Sequence, residues 1–176
     1  FASNGDLYIT VANSSDAHPS EHKWGGTILR ARAPDYVEIE VFARGLRNPF
    51  GVVMSPNQTL FATDNDAQSG RLGDIGDKLL VVREGDDFGH PFAGPGDPGV
   101  APPILISKFA LAGITMAAAN SLPAPYGDSL FVTSYGESKV VRYELEAQGR
   151  RYSAVAKPFA SVPGATDIAA GPNGDF

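Results

Sequence analysis

A short phrase recurs along the chain and constrains its fold more than any other feature. A polar turn is followed by a leucine and a short β-branched or aromatic run, at 4–10, 57–63 and 127–133. The three leucines that open these runs are separated by 53 and 70 residues. Repeats of about 40 to 50 residues with four short strands each are typical of β-propeller blades, and longer loops lengthen the period. The phrase therefore predicts an all-β chain with about three blades.

The spacing also predicts where the blades lie. We expect a single partial propeller domain over residues 1–176, with blades of four antiparallel strands at roughly 4–56, 57–126 and 127–176. A fourth copy of the turn begins at Asn173. Because the chain opens in a turn without a methionine, we expect it to be a fragment or a half-length protein.

Further strands are predicted where β-branched and aromatic residues cluster between the phrases. No window shows an amphipathic helical stripe with caps. Segment 88–103 contains five prolines and four glycines, which predicts a loop. The additional strands are expected at 27–31, 37–42, 78–82, 139–145 and 154–159.

Composition excludes several classes of function. The net charge of −6 and the absence of a basic run argue against a nucleic-acid partner, because phosphate binding needs clustered Lys and Arg. There is no cysteine, so thiolate metal sites and a cysteine nucleophile are excluded. No apolar run reaches the 18 residues of a membrane span. The usual motifs of serine hydrolases, P-loop proteins and zincins are not found either.

Three segments together resemble a known family. They are Gly-Leu-Arg-Asn-Pro-Phe-Gly at 45–51, Phe-Ala-Thr-Asp-Asn at 61–65 and Gly-Asp-Asp-Phe-Gly-His-Pro at 85–91. Their order and spacing are similar to those of the soluble pyrroloquinoline-quinone-dependent sugar dehydrogenases, the glucose/sorbosone dehydrogenase family. The resemblance implies a six-bladed propeller that oxidises an aldose or related sugar by hydride transfer to pyrroloquinoline quinone, in the periplasm or outside the cell.

The resemblance also implies roles for particular residues. His22 stands four residues before the Gly26 that opens a strand, where the family has its general base. An imidazole suits that task because its pKa lies near neutral pH. Arg47 and Asn48 match the family pair that contacts the quinone, where a guanidinium stabilises negative oxygen.

A calcium ion is the second cofactor that the resemblance implies. Its expected ligands here are Asp64, Asp66 and the backbone of Ala67. The family's calcium-linked segment carries a Glu where this chain has Lys78. A lysine at that place opposes calcium, which prefers hard oxygen ligands. A separate departure concerns the quinone: Gly136 stands where the family has a lysine, a cation that the carboxylates of the quinone need.

Two other functions stay open at this point. A metal-dependent, lactonase-like propeller hydrolase would present oxygens near Asn48 and Asp64 to a divalent ion. A non-catalytic propeller would bind partners through its loop face. Because three blades do not close a ring and would leave apolar flanks, we also expect a homodimer that completes six blades.

Overall fold

Three antiparallel sheets make up the computed structural model, which describes residues 1–66, 72–117 and 122–171. The first sheet contains β1 (Leu7–Val11), β2 (Thr27–Ala31) and β3 (Ile39–Arg44). The second contains β4 (Pro49–Met54), β5 (Leu60–Asp64), β6 (Asp77–Val82) and β7 (Leu105–Ser107). The third contains β8 (Leu111–Met116), β9 (Leu130–Ser134), β10 (Lys139–Gln148) and β11 (Arg151–Ser161).

The all-β prediction is confirmed over these ranges. Their helical content is one 3₁₀ turn, Tyr135–Glu137. Among the described residues there is accordingly no helix with the length and apolar character needed to cross a membrane. Segment 88–103 contains no strand, as its prolines and glycines predict, and β7 begins after it, at Leu105. The turn at 173–176 lies outside the described residues.

The sheets begin earlier than the expected blade limits. The recurring phrase forms the second strand of the second and third sheets, so those sheets start at Pro49 and Leu111 rather than near 57 and 127. The first sheet has three described strands rather than the expected four. β4 and β8 were not predicted because each contains a glycine and a register shift, which hide the two-residue alternation of a strand.

A buried threonine joins neighbouring sheets. The Thr63 hydroxyl accepts a 3.0 Å hydrogen bond from the amide of Gly51 in its own sheet and donates a 2.6 Å bond to the carbonyl of Ala112 in the third. Thr10, at the equivalent position of β1, points its hydroxyl at the carbonyl of Phe50 in the second sheet, at 3.4 Å. The same position of the repeat thus connects successive sheets.

The second sheet is buried on both faces. Leu60 and Leu80 pack with residues of the first sheet such as Phe42, whereas Phe61 and Leu79 pack with residues of the third sheet. A strand that is covered on both faces reads as a continuous apolar run. This explains why 78–82 lacks alternation in the sequence.

The hairpin of β10 and β11 reaches from the third sheet to the second. Only 139–143 of β10 pairs with β9, and the rest of the hairpin extends beyond it. Tyr152 packs edge-on against Phe61, with ring centroids 5.4 Å apart. Near the tip, the Arg83 guanidinium donates to the carbonyl of Arg150. The hairpin therefore contacts both sheets.

Candidate functional site

Three charged side chains meet at one end of the second sheet. Asp64 is the last residue of β5, Asp66 follows two residues later, and Lys78 lies opposite Asp64 in the β5–β6 ladder. All three residues are buried, with exposures of 0%, 6% and 2%. The Lys78 amino group lies 3.4 Å from Asp64 Oδ2 and forms a close ion pair with Asp66 Oδ2. We call these three residues the charged cluster.

Asp64 also fixes the turn that precedes β4. Its Oδ1 accepts a 2.8 Å hydrogen bond from the amide of Asn48, and its Oδ2 lies 3.5 Å from the amide of Arg47. Burial raises the pKa of the Asp64 carboxyl above its usual range, while the ammonium of Lys78 acts in the opposite direction. The carboxylate thus orients the Arg-Asn segment through its backbone.

Asp77 connects the charged cluster to the third sheet. Its Oδ2 accepts hydrogen bonds from the Asn65 side chain, at 2.9 Å, and from the amide of Leu111, at 3.0 Å. Its Oδ1 accepts a 3.0 Å bond from the amide of Asp66. Burial raises the pKa of the Asp77 carboxyl above its usual range, and the hydrogen bonds from these donors partly offset that rise.

His90 closes one side of the charged cluster. Its side chain is 2% exposed, and Nδ1 lies 3.9 Å from Asp66 Oδ1. Nε2 lies 3.2 Å from the carbonyl of Ser15. Both ring nitrogens therefore face protein groups rather than solvent. The sequence offered no signal for this contact, because the loop that carries His90 reaches Asp66 only through the tertiary fold.

Arg47 is paired with a residue of the β1–β2 loop. Its Nε and one terminal nitrogen lie 2.7 and 2.6 Å from the same oxygen of Asp16. The Asn48 side chain lies 3.5 Å from the side-chain oxygen of Asn65. The structure thus places Arg47 and Asn48 beside Asp64, and their contact with a quinone stays a prediction.

His22 lies on the same β1–β2 loop as Asp16, and it is exposed. It lines a cavity of about 200 Å³ together with Lys23, Arg44 and His90. The amide of Trp24 donates a 3.3 Å hydrogen bond to His22 Nδ1. Because Nδ1 accepts this hydrogen bond, a neutral His22 ring carries its proton on Nε2.

The residues present do not fit the implied calcium ion. Asp64 and Asp66 do come together, but the ammonium of Lys78 lies against both carboxylates. Calcium needs six to eight oxygen ligands, and a fixed positive charge at their centre repels it. No group of three or more metal-binding side chains suited to an ion exists within 1–66, 72–117 and 122–171. Ala67 lies outside the described residues.

Comparison with known proteins identifies the fold. No protein-family model and no curated protein matches the chain. A solved structure described as glucose dehydrogenase matches over 99% of this chain and 57% of its own, with a TM-score of 0.75 and 20% identity. The chain has the β-propeller fold of the sugar dehydrogenases.

Two further structures give the same result. The soluble aldose sugar dehydrogenase of Escherichia coli, in its apo form, matches over 97% of this chain and 56% of its own, with a TM-score of 0.74 and 18% identity. The PQQ-bound aldose sugar dehydrogenase of Streptomyces coelicolor matches over 82% of this chain and 42% of its own, with a TM-score of 0.61 and 21% identity. The chain thus spans about half the length of the solved proteins that it matches.

Proposed function

We propose that this chain is part of a quinoprotein sugar dehydrogenase that oxidises an aldose or related sugar by hydride transfer to pyrroloquinoline quinone. The main support for this proposal is the ion pair between Asp16 and Arg47. It joins the loop of His22 to the Arg47–Asn48 turn, so the candidate base and the candidate quinone contacts lie at one end of the sheets. The similarity of fold to a PQQ-bound aldose sugar dehydrogenase supports the same function.

Arg47 suits an anionic oxygen of a quinone. A guanidinium carries five N–H donors, and Asp16 engages Arg47 through Nε and one terminal nitrogen. The remaining donors are available to a ligand. The quinone, when bound, supplies the two-electron redox chemistry, and the protein supplies binding and orientation.

His22 would accept the proton of the sugar hydroxyl. Its exposure gives a substrate access to the ring. Base action through Nε2 requires the tautomer with the proton on Nδ1, so the hydrogen bond from the Trp24 amide must break first. We propose that substrate binding in the neighbouring cavity displaces this contact.

The alternatives receive less support. A lactonase-like hydrolase would need the Asp64 oxygens for a divalent ion, and the Lys78 ammonium lies against one of them. A non-catalytic, dimer-forming propeller predicts no turnover of either kind. An exported or periplasmic location follows from the resemblance alone and belongs to the proposal.

The test uses the full-length protein that contains this chain. Quinone binding is measured by absorbance titration, and aldose oxidation by a dye-linked assay, with lactone hydrolysis as a parallel assay. We expect quinone-dependent oxidation that falls about 100-fold or more in His22→Ala, as is typical for loss of a general base. His18→Ala, another exposed histidine, is the matched control and should keep full activity.

Each outcome decides between the candidates. No quinone binding and no sugar oxidation would overturn the proposal. Lactone hydrolysis that needs a divalent metal would favour the hydrolase, and inactivity in both assays would favour the binding module. Equal activity of the His22 and His18 variants would remove His22 from the mechanism while leaving the reaction class intact.

A further inference from the structure

The charged cluster contains a cation that belongs to the protein itself. We infer that Lys78 takes the place of a bound divalent ion between Asp64 and Asp66, so that this end of the second sheet is held together without calcium. The inference concerns how the region is stabilised, and it does not rest on the proposed reaction.

The ammonium of Lys78 is held in a fixed position between the two carboxylates. Lys78 is paired with Asp64 in the β5–β6 register, so the strand ladder fixes its backbone. Its side chain is 2% exposed and crosses to Asp66, with which it forms the closest ion pair of the cluster. A lysine side chain is buried to this degree almost only when its charge is paired.

The carboxylates of Asp64 and Asp66 are surrounded by positive and hydrogen-bonding groups of the protein. Two buried carboxylates side by side repel each other and are costly without a counter-charge. The ammonium supplies one positive charge, and the amides of Arg47 and Asn48 supply hydrogen bonds to Asp64. His90 Nδ1 faces the remaining oxygen of Asp66, at 3.9 Å. The carboxylates are thus compensated by groups of the protein.

A third carboxylate, that of Asp77, lies close by and is already hydrogen-bonded. Asp77 lies beside the cluster and accepts hydrogen bonds on both oxygens, from Asn65, Asp66 and Leu111. Both of its oxygens are therefore already engaged by donors of the protein. A divalent ion at this place would have to displace both the ammonium and these hydrogen bonds.

The decisive experiment reverses the charge at position 78 in the full-length protein. Lys78→Glu places three carboxylates together and should create a calcium requirement. We expect the amides of β5 and β6 in this variant to lose protection from hydrogen exchange in EDTA and to regain it in millimolar calcium chloride. The melting temperature in EDTA should fall by about 10 °C. Lys108→Glu makes the same charge change at an exposed site and should show neither effect.

The wild-type protein supplies an independent readout. Its β5 and β6 amides should exchange equally in EDTA and in calcium, because the ammonium cannot be chelated. Exchange is measured strand by strand, and only a loss of protection confined to β5 and β6 counts, because calcium bound elsewhere in the full-length protein would change the protection of other strands as well. Loss of wild-type protection in EDTA would overturn the inference, and so would a folded Lys78→Glu protein that ignores calcium. Should Lys78→Glu fail to fold, the wild-type comparison alone decides.

Discussion

The amide of Asn48 donates a 2.8 Å hydrogen bond to Asp64, which joins the turn before β4 to the last residue of β5. A residue expected to contact a quinone and a residue expected to bind a metal are therefore parts of one buried arrangement. Asp64 is fully buried and has no open side toward a ligand. Its contribution to the site is to hold the Arg47–Asn48 segment in place.

Removal of the Lys78 charge should make stability strongly dependent on pH. In Lys78→Met the Asp64 carboxyl loses its counter-charge, so its pKa, already raised by burial, rises further. A carboxyl with a raised folded-state pKa favours the folded state at low pH, and this contribution is lost as pH rises through that pKa. We expect urea unfolding to show a larger loss of stability at pH 8 than at pH 5. Equal losses at both values, or the same trend in the exposed Lys108→Met, would contradict this explanation.

Asp6 should show the opposite dependence. Hydrogen bonds from the amide of Ala33 and the side chain of Asn4 hold the pKa of Asp6 below its usual range. Its stabilising contribution is present above the unfolded pKa of about 4 and is lost as pH falls below it. Asp6→Asn should therefore lower the melting temperature at pH 7 and have little effect near pH 2. The exposed Glu146→Gln serves as the control and should be neutral at both values.

Thr63 should contribute more to stability than its equivalent in the third sheet. Thr63→Val removes a donor to Ala112 and an acceptor for Gly51, at a cost of about 1–3 kcal/mol in the free energy of unfolding. Thr133 makes one 3.4 Å bond to Gly113 within its own sheet, so Thr133→Val should cost less. Chemical denaturation of both variants tests the order. Equal costs would mean that the connection between sheets adds nothing.

Gly45 should tolerate no side chain. Its φ of +73° is unfavourable for other residues, and a Cβ would overlap the Asp87 carboxylate and the amide of Gly89. Gly85 has a similar φ of +84° but open space around it. Gly85→Ala should cost about 1 kcal/mol from backbone strain alone, and Gly45→Ala about 2 kcal/mol more from the overlap. Comparable unfolding free energies for the two variants would show that the loop at 87–89 simply moves away.

The sequence predicts those parts of the fold that depend on local patterns. The bounds of β2 agree with the predicted 27–31, since a short run rich in β-branched and apolar residues between two turns defines it. β4 and β8 escaped prediction because Gly51 and Gly113 lie where the register of these strands shifts. The resemblance associates Asp64, Asp66 and Lys78 with one calcium site, but it does not predict their ion pairs, which depend on the β5–β6 register. The contact of His90 depends on the packing of a distant loop.

The β10–β11 hairpin has a consequence for how the molecule comes apart. Tyr152 lies on Phe61, its hydroxyl is 3.3 Å from the Thr59 hydroxyl, and Arg83 reaches the carbonyl of Arg150. The base of the hairpin is part of the third sheet, and its tip packs on the second. Neither sheet can therefore unfold without breaking the contacts of the hairpin with the other. The second and third sheets should therefore lose their structure in one cooperative step, with no intermediate in which only one of them is folded.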